Sequence, residues 1–216
     1  MRASLCGEAL RLGRMLVQLL PGESEVYALL ALMELNASRT AARRGSNGEA
    51  VLLPDQNRSL WNDAQIQRGM TSLEHVQRLG GQAKYYALQA AIAACHMRAR
   101  TAGETDWERI VVLYDALMET APSPIVALNR AVAVGMALGP SSGLAALDAI
   151  ATPAGGPALA GYHLLHSVRG DLLMKMGKYP EARDEIQRAI ALTQNLREQE
   201  LLTEKLKQIE KAASSI

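Results

Sequence analysis

Phenylalanine is missing from this 216-residue chain, and the aromatic residues that remain, two tryptophans and six tyrosines, make up only 4% of it. A core without large rings has to close through aliphatic and small side chains, so plentiful Ala, Leu and Met favour helices packed at short range. Cysteine is almost absent too. Cys6 and Cys95 lie far apart on apolar helical patterns, and without a secretory signal they read as buried thiols in a reducing cytosol, not as a disulfide. Neither sign of charge dominates: 23 Lys and Arg face 22 Asp and Glu, interspersed, for a net charge of +1. A concentrated basic face is lacking, so direct nucleic-acid binding by this chain is not expected. No apolar run approaches the roughly 20 residues of a membrane span, and Met1 to Ser4 lack the regions of a signal peptide. The expected location is the cytoplasm, with no membrane contact.

Catalytic signatures are missing as well. No GxGxxG, P-loop, GxSxG or HExxH run occurs, and the glycines sit at helix ends. No enzyme, no catalytic residue, no cofactor and no metal site is expected.

What is present is helical punctuation. Leu5, Ala9, Leu12, Leu16 and Leu19 step by three and four, which predicts an amphipathic helix over 4–20 stopping at Pro21-Gly22. Ser24 is the expected cap of a second helix, which turns Val26, Leu29, Leu30, Met33 and Ala37 toward the first and fades near Arg43-Arg44. Residues 45–58 then break the pattern with two glycines, a proline and a short β-prone run. This predicts one long irregular loop at about 44–58, with Leu52 and Leu53 plugging it onto the core. A helix capped by Ser59 closes at Gly80-Gly81, and an Ala-rich helix follows over 83–100. Asp106 caps a regular helix that ends at Pro122, and Pro124 starts the next.

Tyr162 to Asn195 read as two antiparallel helices, with Gly170, Ala182 and Ala189 small at the crossing and Gly177 ending the first. The Ala182-x-x-x-Ile186 spacing with Ala189 matches the second-helix part of a tetratricopeptide repeat. Setting Pro122 at the closing proline of a 34-residue unit puts two or three helix pairs in register, the earlier ones degenerate, with the extra residues falling in TPAGGP, 152–157. The last helix carries Leu202, Leu206, Ile209 and Ala213 on one face and looks like a polar-backed cap. The expected fold is all-α: stacked antiparallel helix pairs, a right-handed tetratricopeptide-like α-solenoid. One helical domain over 1–216 divides into N-terminal helices, 1–100, and repeats with a capping helix, 101–216.

Polar residues embedded in apolar helices are the candidates for function. Gln89, Asn129, Arg130, His163, His166 and Arg169 form either an internal hydrogen-bond network or the lining of a groove, and close packing through small residues favours the network. His163 and His166 could share a face and a metal, but no acidic ligand joins them at the right spacing. In the loop, Asp55, Gln56, Arg58 and Trp61 form a candidate contact surface, because Arg and Trp are favoured at interface hot spots.

Residues 5–43, 51–61 (VLLPDQNRSLW), 88–96 (LQAAIAACH), 106–134 and 162–177 (YHLLHSVRGDLLMKMG) together resemble, in the same order, the C-terminal extension of a subgroup of extracytoplasmic-function sigma factors, those with a tetratricopeptide-like tail. The usual DQDRS-R-WD loop motif reads Asp55-Gln56-Asn57-Arg58-Ser59-Leu60-Trp61-Asn62 here, lacking an acidic residue and the second arginine. The resemblance implies a bacterial regulatory domain that supports transcription initiation through sigma-factor promoter-binding regions or the RNA polymerase core. Those promoter-reading and core-binding regions are missing from this chain, and its abrupt start at a family boundary points to an excised piece of a longer protein. Two alternatives stand beside it: a stand-alone peptide-binding adaptor using a groove near Asn129 and Arg130, and a small-molecule sensor lined by Gln89, His163, His166 and Arg169.

Overall fold

The computed structural model describes residues 3–45, 48–150 and 161–214. Among them are ten α-helices and no strand, only one antiparallel bridge between Arg44 and Ala50. The all-α expectation holds. None of these helices is long and apolar enough to cross a membrane. The chain forms two compact units, Met1–Ala121 and Pro122–Ile216. The first unit includes the fifth helix, which packs on the fourth.

The first unit holds α1 (Ala3–Leu19), α2 (Ser24–Ala37), α3 (Asp63–Arg78), α4 (Tyr85–Arg98) and α5 (Trp107–Thr120). Its centre is α2, which packs on α1, α3 and α4 and buries Ala28, Leu30, Ala31 and Leu35. The approach of α3 is close: a Cβ on Gly69 would sit 2.7 Å from the Leu35 side chain. Gly80, at φ +69°, ends α3 as expected, and Asp106 Oδ1 caps α5 by accepting from the Arg109 amide at 2.8 Å. Two caps differ from expectation. Glu23, not Ser24, occupies the N-cap of α2, and Ser24 is buried in the first turn. Asn62, not Ser59, caps α3, since Ser59 is drawn into a 3₁₀ turn by Asn57 Oδ1, which accepts from both its amide and its hydroxyl.

The first helix departs most from its sequence pattern. Its regular leucine stripe does not face α2: Leu5 is 62% exposed, Leu12 56% and Leu19 73%. Instead Leu10 is buried, Gly13 lies against Leu30 and Met33, and Arg14 Nη2 donates to Glu34 Oε1 at 2.6 Å. The missing side chain at Gly13 and the Arg14 clasp set the helix's rotation, and α2 covers only one side of an apolar arc wider than a single neighbour needs.

The second unit holds α6 (Pro124–Leu138), α7 (Pro140–Ile150), α8 (His163–Lys175), α9 (Tyr179–Leu192) and α10 (Leu196–Ala213). Successive helices pack in chain order, α6 on α7, α7 on α8, α8 on α9 and α9 on α10, the nearest-neighbour pattern of helix-pair stacking. Small residues make the crossings, as the sequence implies. A Cβ on Gly170 of α8 would meet Ile186 of α9 at 2.7 Å, and one on Gly143 of α7 would meet the Gly135 backbone of α6 at 2.6 Å. Gly177 at φ +74° turns α8 into α9. Ala182, Ile186, Ala189, Leu202 and Ile209 form one buried cluster, so α10 does close the stack through its apolar face. TPAGGP, 152–157, lies outside the described residues.

Candidate functional site

In the second unit the embedded polar residues meet opposite charge. His166 Nδ1 lies 2.7 Å from Glu185 Oε2 on α9, where Glu185 also accepts from Arg188, and both partners are largely buried. His163 Nε2 approaches Glu198 Oε2 of α10 to 2.9 Å, but the angle misses that of a hydrogen bond, so this is an electrostatic contact. Glu198 is held in place by Thr193 Oγ1, which donates to it at 2.6 Å. Arg169 pairs with Asp148 of α7 at 2.6 Å, and Lys205 of α10 donates to Asp171 at 2.6 Å. The seams of α8 with α7, α9 and α10 are thus each stitched by a polar contact to an acidic side chain. The two imidazoles turn to different glutamates and so do not converge on one metal. Among the described residues no three His, Cys, Asp or Glu group as a metal site.

The six residues are divided between the two units. Gln89 is half-buried on α4 of the first unit, Asn129 is exposed on α6, and Arg130 is half-buried with a partner of its own. For His163, His166 and Arg169 the internal network is the arrangement found.

The loop after α2 folds down instead of standing out. It is built from 3₁₀ turns at Ala41–Arg43, Leu53–Asp55 and Arg58–Leu60. Trp61 is only 7% exposed and packs with Leu35, Ala42, Ala94, Met97 and, as expected, Leu53, whereas Leu52 stays exposed. Arg58 stacks over the Trp61 ring, 4.5 Å from its centroid, and its Nη1 donates to the carbonyls of His96 at 2.6 Å and Ala99 at 2.8 Å. That answers the open carbonyls at the end of α4. Gln56 is buried, its Nε2 donating to the Val51 carbonyl while Oε1 has no partner. Of the four loop candidates only Asp55 is fully outward. Gln56 and Trp61 are core, because the tryptophan buries more apolar area inward than a loop surface would leave it.

Two further arginines, Arg39 and Arg43, lie close to Arg58 in charge terms. Arg39 Nη2 donates to Asn36 Oδ1 at 2.8 Å, and Arg43 Nη2 reaches the same residue's carbonyl at 3.3 Å and its Oδ1 at 3.5 Å. The Nε of each arginine is buried without a partner. Burial, then Arg43 and Arg58, bring Arg39 down to about 10, so it still carries its charge at neutral pH. Burial, then Arg39 and Arg58, push His96 down to about 4, so it is neutral there. Among the described residues none of the three arginines has a carboxylate at ion-pair distance, although Glu104 acts on Arg58 from further away. The buried acid of α2, Glu34 at 1% exposure, is already taken by Arg14 and by Arg68 Nε at 3.0 Å. The spacing Asn36, Arg39, Arg43, by three and four, is the signal that could have found this corner.

Asn36 and Arg43 also form the polar end of an open groove of about 320 Å³ between α1 and α2. Its other walls, Cys6, Ala9, Leu10, Met33 and Ala37, are apolar. Both cysteines are free thiols. Cys95 is buried, but Cys6 is only half-buried, because it stands in this wall.

Fold and site define an all-α helix-pair protein with a charge-stitched second unit and, in the first, a cationic corner at the end of an apolar groove. Residues 1–77, most of the unit that carries the groove, match the model of a family of unknown function, DUF6596. An uncharacterized protein of Rhizobium meliloti (strain 1021) is 44% identical over 196 residues, 91% of this chain and 45% of that protein. The chain therefore spans about half the length of the curated relative it matches. No solved structure matches it.

Proposed function

We propose that this chain is the regulatory, protein-interacting part of a bacterial sigma factor of the extracytoplasmic-function type. In this reading it works in the cytoplasm and supports transcription initiation by docking on the promoter-binding regions or the polymerase core. It contributes contacts and no catalytic step. The observation that carries the reading is the uncovered leucine face of α1, where Leu5, Leu12, Met15, Leu16 and Leu19 are exposed in one stripe. A contiguous exposed apolar stripe of this kind suits a protein-interaction surface, and each leucine covered by a partner would contribute about 1 kcal/mol, since part of it is already buried. The ordered sequence blocks that resemble the sigma-factor tail supply the kind of partner, and a relative about twice as long leaves room for one within the same protein.

In-vitro transcription by the full-length protein tests this, comparing wild type, a form lacking the segment equivalent to residues 3–214, and Leu12→Glu with Leu16→Glu. Transcript should fall in both altered forms. Equal promoter activity in all three would sink the reading.

A further inference from the structure

We propose that the groove between α1 and α2 binds a small anionic amphiphile, its oxyanion head on Arg43 and Asn36, with Arg39 reinforcing the positive field through its bond to Asn36, and its short apolar body along Leu10, Met33 and Ala37. The two ends of the groove ask for different chemistry. Its walls are apolar, and its volume of about 320 Å³ is that of a small-ligand cleft. One end carries Arg43 beside Asn36, with Arg39 and Arg58 close enough behind the wall to act on one another, while the buried carboxylate of Glu34 is occupied by Arg14 and Arg68.

Asn36 is a neutral acceptor shared by two guanidinium groups, and its contacts with Arg43 are long, 3.3 and 3.5 Å. An oxyanion is the better partner for such a fork, because its hydrogen bonds are charge-assisted and it relieves the mutual repulsion of the arginines. A bare inorganic anion would leave the apolar walls uncovered, and a neutral or cationic amphiphile would leave the arginines unmatched. Carboxylate and phosphate heads share the required chemistry. The inference stands on α1, α2 and the arginine corner alone and does not need the sigma-factor reading.

Cys6 provides the readout, since it lines the groove while Cys95 is buried and its thiol is held high by burial. Labelling of Cys6 in the whole chain by a disulfide reagent is followed with decanoate, decyl phosphate, decanol, decyltrimethylammonium and inorganic phosphate, each below its micelle concentration. Decanoate or decyl phosphate should slow labelling saturably, and whichever head does so names the oxyanion. Arg43→Gln should raise the concentration needed by about tenfold, the loss of one charge-assisted contact, with helicity unchanged by circular dichroism. Arg39→Gln carries the same test should Arg43→Gln not fold. Equal protection by decanol or by the cation, protection by inorganic phosphate at the same concentrations, no protection by either anionic amphiphile, or indifference to the arginine variants would each overturn the proposal.

Discussion

The two units treat buried charge in opposite ways. Around α8 each embedded polar side chain has found an acid on a neighbouring helix: Glu185 for His166, Glu198 for His163 and Asp148 for Arg169. In the first unit one acid, Glu34, holds Arg14 and Arg68, while the partners described for Arg39, Arg43 and Arg58 are carbonyls, an amide side chain and a tryptophan face, with Glu104 acting on Arg58 from further away. Matched pairs between helices fix register and add no demand for a ligand. An unmatched cluster raises the energy of the empty state and leaves that energy available to whatever anion arrives. The second unit therefore reads as framework and the first as the place where something is received.

Acid titration should separate the two most strongly. His96 takes a proton near pH 6.5 when the chain is unfolded but only near 4 in the folded first unit. The unfolded state thus binds more protons in that window, so the first unit is fully stable above about pH 6.5 and loses stability as pH falls toward 4. The loss should be on the order of 2–3 kcal/mol. Trp61 and Trp107 both belong to this unit, so urea melts followed by tryptophan fluorescence report it directly. A midpoint that does not move between pH 7 and 4 would break the contrast.

Next in size is His166→Leu in the second unit, which leaves Glu185 in a largely buried seam with only exposed Arg188 for company. It should destabilise that unit by about 1.5 kcal/mol, read from the circular dichroism melt with the tryptophan signal unchanged. The smallest effect has the opposite sign. Arg39→Met removes a desolvated cation from among like charges and should stabilise the first unit by about 0.5 kcal/mol in the tryptophan melt, unless an anion is bound. A loss of a kilocalorie or more would mean that Arg39 is matched after all.

Most of the framework was legible in the chain because it is written in local chemistry. Gly80, Gly177, Asp106 and the Pro122-Pro124 pair act within a turn of their own position, so helix ends and the pairing of α8 with α9 follow from them. The candidate site was less legible, since its residues come from far apart: Arg58 bonds a carbonyl 38 residues away and stacks on a tryptophan that looks like a surface anchor in sequence but is core. Periodicity also names an apolar face without naming its neighbour. For α1 that ambiguity hid the outcome, because a glycine and one arginine turned the leucines away from α2.

That attachment has a kinetic side. Among the described residues α1 is joined to the rest chiefly through α2, by Leu10, the Gly13 contact and the Arg14 clasp on Glu34. Such a helix opens as its own cooperative piece, with a free energy well below that of the unit it leaves. Its amides should therefore exchange with solvent ahead of those of α2 and α4, and anything lodged beneath it would act as a latch on that exchange.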